Sequence, residues 1–305
     1  MFVRNNFLFL VVLLAIAYAF AMKATIFQNP PSSSTPPLAS ADESNNYWKG
    51  GLAELSTYSL EQTQNGQTST GEAVLVFVPE DFRTDKQVKL SSDKKDLATS
   101  ALKMNGLHHL TIGASELRTM TSVFSPTDLK LYPHALKVST TVQDWDGQSY
   151  IQLNLKNRKY EVVQHGYTEE DAHQTAELDR SWLEDELWTR LRLQPDKLPT
   201  GELSLVPSTQ AACLLHRKLS VTTAQAKVDS VNATTRQYVL EYPDRTLKIS
   251  FERVFPHQIL GWEDTFKQSG KPTTTKATLK KKQQTQWPIP ANKASTLRDS
   301  LQLRK

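Results

Sequence analysis

Three turn-forming pairs, Asn65-Gly66, Asp146-Gly147 and Pro243-Asp244, lie between stretches whose apolar residues fall at every second position. Alternation of period two gives a strand one apolar face, and a tight turn between two such stretches folds them back as an antiparallel hairpin. A hairpin centred on Asp146-Gly147 pairs Val142 with Ile151, Thr140 with Leu153 and Val138 with Leu155, which puts the apolar residues on one face. Centring on Pro243-Asp244 pairs Leu240 with Leu247 and Tyr238 with Ile249. Around Asn65-Gly66 the flanks are polar and burial starts further out, at Leu55 and residues 73–78. The expectation there is a long hairpin whose tip stands clear of the core. Residues 107–112 and 218–228 add strand candidates, and the charged stretch 83–101 reads as a surface loop or short helix.

One segment reads differently. Thr168-Glu169-Glu170-Asp171 places acids where the positive end of a helix dipole would sit. Ala172, Ala176, Leu183, Leu187 and Leu191 then form one stripe at helical spacing, with Trp182 and Trp188 beside it. The pattern predicts a helix over 169–193, ended by Pro195 and Leu198-Pro199-Thr200-Gly201. A lone amphipathic helix among many strands must bury its stripe against a sheet. The expected fold class is therefore mainly β (α+β): a large curved antiparallel sheet or half-open barrel with one long amphipathic helix packed on it.

The N-terminus constrains the compartment. Arg4 precedes 16 apolar residues, 7–22, and Ala19-Phe20-Ala21 resembles a signal-peptidase site. A spanning helix wants roughly 20 apolar residues. Residues 1–21 are thus a signal peptide or an N-terminal anchor, and both readings stay open. The chain is expected to be exported, either periplasmic or held at the inner membrane. Pro- and Ser-rich residues 22–46 read as a linker, 47–266 as a β-rich globular domain and 267–305 as a basic, disordered tail. Mean hydropathy of −0.47 excludes a multi-span helical membrane protein.

The formal net charge of +4 conceals a division. Residues 47–266 carry 24 Lys and Arg against 29 Asp and Glu, whereas 267–305 carry ten against one. Basic tails of this kind contact nucleic acid or anionic surfaces. Export removes nucleic acid as the expected partner and leaves an anionic membrane surface, with Lys276, Lys280, Lys281 and Lys282 as the contact. The short amphipathic stretch Leu297 to Leu303 is expected to be able to dock.

Motifs for chemistry are sparse. The single cysteine, Cys213, rules out an internal disulfide, and its apolar neighbours predict burial. The seven histidines show no spacing that sets two ligands on one face of a helix or strand, and His108-His109 would point to opposite sides. Asp144-Trp145-Asp146-Gly147 lacks the later ligands of a calcium loop. Glu184-Asp185-Glu186 reads as a solvated acidic face of the helix. No nucleophile elbow, P-loop or dinucleotide fingerprint occurs. No catalytic residue, metal or cofactor is expected.

Tyr47-Trp48-Lys49-Gly50, Glu80-Asp81-Phe82, Val142-Gln143-Asp144-Trp145, Glu184-Asp185-Glu186-Leu187-Trp188 and Leu198-Pro199-Thr200-Gly201 together resemble a family of uncharacterised exported bacterial proteins. Its members often carry the label "septum formation inhibitor Maf". The resemblance spans residues 47–266 and implies an envelope location. The Ser-x-Ser-x-Arg-Arg motif of the cytosolic Maf pyrophosphatases does not follow the N-terminus here, so no catalytic residue carries over. Where the relatives have Cys-Gly after Gln-x-Trp, this chain has Asp146.

These features lead to an envelope binding module for a lipid or glycolipid, with Trp145, Tyr150, Trp182 and Trp188 as candidate ligand-binding residues. The competing expectations are a docking protein acting through the basic tail and a hydrolase of an envelope polymer. Oligomeric state is left open.

Overall fold

The computed structural model describes residues 47–48, 51–91, 95–169, 172–268, 271–290, 292 and 294–303. The signal or anchor, the linker and the acids Glu170-Asp171 lie outside the described residues. Among the described residues no helix is long and apolar enough to cross a membrane.

The protein is mainly β. Its first strands are β1 (Leu52–Gln64), β2 (Gln67–Arg83), the short β3 (Val88–Lys89), β4 (Ala98–Ile112) and β5 (Ser115–Pro126). Four more follow: β6 (Lys137–Gln143), β7 (Gln148–Lys156), β8 (Lys159–His165) and β9 (Gln174–Asp179). After β10 (Trp182–Leu183) the chain leaves the sheet through a 3-10 turn at Glu184–Glu186 and helix α1 (Leu187–Leu193), then returns as β11 (Gly201–Val206). Helix α2 (Thr209–Leu214) precedes β12 (Thr222–Ser230), β13 (Thr235–Glu241), β14 (Arg245–Glu252), β15 (Ile259–Gln268) and β16 (Lys271–Gln286), and helix α3 (Ala294–Ser300) follows them.

All sixteen strands form one sheet, in the order β10 to β16, then β1, β2, and β4 to β9, with β3 paired to β2. Every pairing is antiparallel except β10 with β11. Parallel neighbours need a crossover, and the crossover here carries α1. The two end strands, β9 and β10, share no ladder, so the sheet is unclosed. Only Arg180 and Ser181 separate them in sequence. Three residue steps span at most about 11 Å, so the sheet must curl until its two ends nearly meet.

The sheet's inner face carries the main core. Tyr58, Leu75, Phe77, Ile151, Leu153, Leu240 and Ile249 pack there against Leu183, Leu187 and Leu191 of the crossover. These three leucines are the stripe that the sequence places on a helix, and each is at most 2% exposed. The helix is shorter than its periodicity suggests: one helical stretch covers 184–193, while Gln174–Asp179 is the edge strand β9. Gln-Thr-Ala-Glu-Leu-Asp also alternates, and pairing with β8 puts Ala176 beside Val162 and Leu178 beside Tyr160. A sheet edge beside this segment decided between two periodicities that share Ala176.

The registers are mixed in outcome. The pairs Leu240 with Leu247 and Tyr238 with Ile249 form as expected. Gln64 pairs with Gln67 across Asn65 and Gly66, both with positive φ, and the strand ends beside this turn are exposed. Between β6 and β7 the register differs by two residues: Thr140 pairs with Ile151 and Val138 with Leu153. The cause is Asp144, whose Oδ1 accepts from the N–H groups of Asp146 (2.8 Å) and Gly147 (3.0 Å). Capture of both amides makes a four-residue loop of 144–147 instead of a two-residue turn. Gly147 is required by packing, because a Cβ there would meet the Tyr167 ring at 2.7 Å. A shift of two leaves every side chain on its own face. Residues 83–101 hold β3, a 3-10 turn at Lys95–Leu97 and the start of β4.

Residues 271–286, expected to belong to a disordered tail, form the strand β16. β16 sits between β15 and β1, pairing with β1 along most of its length and with β15 over residues 271–278. Its few apolar residues, Ala277 and Leu279, alternate toward the core with Thr273 and Thr275, and backbone ladders on two sides do the rest. Lysines therefore ride on a strand held by its backbone. Beyond β16, Leu297 and Leu301 dock against Ala53, Leu55, Val76 and Val78 on the outer face. Thr57 fixes the contact by donating from Oγ1 to the Leu301 carbonyl at 2.9 Å.

Candidate functional site, a trough on the outer face

The concave interior is largely filled. Arg192 of α1 is fully buried and forks onto Glu54 of β1, with Nη2 donating to Oε2 at 2.7 Å and Nη1 to Oε1. Its guanidinium lies over both the Trp48 and Phe77 rings, and Nε donates to the Pro256 carbonyl at 3.0 Å. Burial pushes the Glu54 carboxyl up, but Arg192 beside it more than offsets this and holds it below the ordinary range. Glu184, Asp185 and Glu186 are all buried, contrary to the expected solvated face. Arg245 donates two hydrogen bonds to Glu184 (2.6 and 2.7 Å) and two to Asp264 (2.7 and 2.8 Å). Asp185 accepts from Thr209 N (3.0 Å) and Oγ1 (2.7 Å), and Glu186 meets His134 Nδ1 at 2.9 Å. Each acid of the 3-10 turn thus ties the crossover to a different element, and neighbours on a helical turn can do so because they point apart.

What remains inside is divided among separate pockets, one of about 410 Å³ lying among Ala212, Leu219, Tyr242 and Phe266. A cavity of about 90 Å³ lies among Trp188, Trp262, His108 and Asp185. A mouth of about 350 Å³ opens near Leu110, Ile112, Leu117 and Leu214. Burial drives the Asp185 carboxyl up to about 6 and the His108 imidazole down to about 4.

A concavity of about 1110 Å³ lies on the opposite face. Its floor is one cross-strand row. Val74 pairs with Leu107, Leu107 with Met120, Met120 with Thr141, Thr141 with Tyr150 and Tyr150 with His165. Paired residues share a face, so the row runs straight across six strands. Leu107 and Met120 are each 38% exposed at its centre. A polar row, Glu72, His109, Arg118, Gln143 and Gln148, runs alongside through the same pairings. Arg298 and Leu303 line the end beside α3, and Tyr150 and His165 line the other.

The four aromatics singled out from the sequence do not converge. Tyr150 lines the trough, half-buried, with its hydroxyl on Gln152 Oε1 at 2.5 Å. Trp188 points inward and meets Trp262 edge to face, with centroids 5.2 Å apart. Trp182 packs on His134 and under the Arg190 guanidinium. Trp145, 71% exposed, sits in the 144–147 loop. The lysines also divide. Lys276 lies in a cross-strand ladder of alternating sign, Lys248, Glu263, Lys276, Glu61, and reaches Glu263 at 3.8 Å. Lys280, Lys281 and Lys282 are exposed, and Lys280 Nζ donates to the Gln302 carbonyl just after α3.

Leu107, Met120 and Arg118 were not singled out from the sequence. Their signal was available in principle: apolar residues at outward positions of neighbouring strands. Reading it required the β4–β5–β6 registers. Among the described residues no three His, Cys, Asp or Glu side chains gather as a metal site. No protein family, curated protein or solved structure matches the chain.

Proposed function

We propose that the protein is a cell-envelope binding module for an amphipathic lipid or glycolipid, held in the outer trough. The observation that carries this reading is the straight row led by the apolar Val74, Leu107 and Met120, bordered by a polar one. Four strand spacings of about 4.8 Å make the row from Val74 to Tyr150 about 19 Å long, room for an extended acyl chain lying across the strands. Arg118 and Arg298 at the rim suit an anionic head group. The export signal and the resemblance to exported bacterial proteins support the location. The interior suits this role less well, because its pockets of about 90, 350 and 410 Å³ are each smaller than the outer trough. The 90 Å³ cavity also gives little support to a hydrolase, since Asp185 sits where a polymer has no room.

Docking to an anionic surface through lysines is the second reading, supported by Lys280 to Lys282 standing exposed beside α3. Truncation at residue 267 cannot test it, because it would remove β16 from the middle of the sheet. Charge reversal of Lys281 and Lys282 is the suitable probe.

The experiment for the trough is native mass spectrometry of the full chain purified from an expressing cell, with solvent extraction of what co-purifies. A lipid of defined mass is expected, and it should be lost in Leu107→Glu and Met120→Glu while circular dichroism stays unchanged. A protein that carries no amphipath, or carries it equally in both variants, overturns the proposal.

A further inference from the structure

The trough ends at His165, the last residue of β8. Gln164 pairs with Gln174, the first residue of β9, so His173 falls opposite His165 one step beyond the ladder. Both imidazoles are exposed. Their Nδ1 atoms stand 3.1 Å apart, with ring centroids 4.4 Å apart. His165 lies outward with Tyr150, whose hydroxyl is already engaged with Gln152.

We propose that His165 and His173 form a two-imidazole site for a borderline divalent transition metal, Cu²⁺ best and Zn²⁺ next. A metal lies about 2.05 Å from an imidazole nitrogen, so an Nδ1 separation of 3.1 Å sets an N–metal–N angle of about 98°. That angle falls between the right angle of square-planar ligands and the tetrahedral one, so both ions fit without moving the backbone. His165 ends β8 and His173 directly precedes β9, so the ladder between the two strands holds their backbones side by side. The alternative for the pair is a hydrogen bond between two neutral rings of opposite tautomer, and metal replaces the shared proton. The remaining coordination positions fall to water or to an oxygen of another ligand. Hard Ca²⁺ and Mg²⁺ prefer oxygen donors and should not compete. The site does not depend on what fills the trough.

The test is titration of the full chain with Cu²⁺, followed by calorimetry and by electron paramagnetic resonance for nitrogen coupling. One ion per chain with two coupled nitrogens is expected. His165→Ala and His173→Ala should each weaken binding at least tenfold, and Ca²⁺ should produce no heat. Both residues are exposed, and unchanged thermal unfolding of the metal-free variants separates lost ligands from lost fold. Equal Cu²⁺ binding by wild type and both variants overturns the proposal, as does failure of the wild type to bind.

Discussion

The two faces of one sheet are used in opposite ways. The inner face receives the 184–193 crossover, whose charged groups meet partners on β1, on β14, on α2 and in the loop before β6. The outer face supports α3 at one end and leaves the Leu107 and Met120 row uncovered. Both faces come from the same strands, because period two sends alternate residues to each side. The contrast separates stability from binding: charges are buried where they hold the crossover, and apolar surface is exposed where nothing in the chain covers it.

Breaking the inner face should produce the largest effect. Arg192→Ala leaves the Glu54 charge buried without its partner, a change that costs about 3–5 kcal/mol, read as a lowered denaturant midpoint. The double change Glu54→Leu with Arg192→Met should recover much of this, since removing both charges leaves none unmatched. A double variant no more stable than Arg192→Ala would show that packing, and not the charge, is what Arg192 supplies.

The next effect lies in the pH dependence of the interior. Between about pH 4 and 6 the folded chain holds a proton on Asp185 that the unfolded chain has released, so stability falls as pH rises. His108 acts the other way: between about pH 4 and 6.5 the unfolded chain carries the proton and the folded chain does not, so stability rises with pH. Each shift of about two units is worth on the order of 3 kcal/mol, so the two slopes largely cancel in the wild type. Asp185→Asn should unmask a rise in stability over this window, and His108→Gln a fall. Urea unfolding at three pH values would show it; parallel profiles for all three proteins would remove both groups from the account.

Smaller effects belong to the outer face. Leu107→Glu and Met120→Glu should change stability little, because both side chains are already partly in water, yet abolish lipid retention. Smallest of all, Trp145→Ala should leave stability within about 0.5 kcal/mol of wild type by thermal melt. A large loss on the outer face would mean that the trough contributes to folding and that the two faces are less distinct than their contacts indicate.

Much of the sheet was legible in the sequence because strand alternation and turn residues are local signals. The β13–β14 hairpin was read in register since a backbone hydrogen bond, Tyr242 N–H to the Arg245 carbonyl at 2.8 Å, closes its turn. The β6–β7 register was missed because Asp144, a side chain, competes with the backbone for the turn amides. β9 was read as helix because Ala172 and Ala176 fit the helical period, and only a neighbouring edge settles the matter. β16 was hidden by its lysines, since a strand flanked by two ladders needs little apolar content. The trough was the least legible feature, because its floor is assembled from six strands and exists only once their registers are fixed.

The placement of β16 also bears on how the chain reaches its native state. β1 and β16 are separated by about two hundred residues, yet they form one of the central ladders. Such pairing gives the protein a high contact order, and slow folding follows because a long loop must close before that ladder returns any energy. Until residue 286 is available, β1 and β15 both present unpaired edges, the arrangement most prone to intermolecular association. Folding vectorially from the N-terminus would therefore stall at a half-sheet. The chain should require either delayed collapse or a holding chaperone until its last strand arrives.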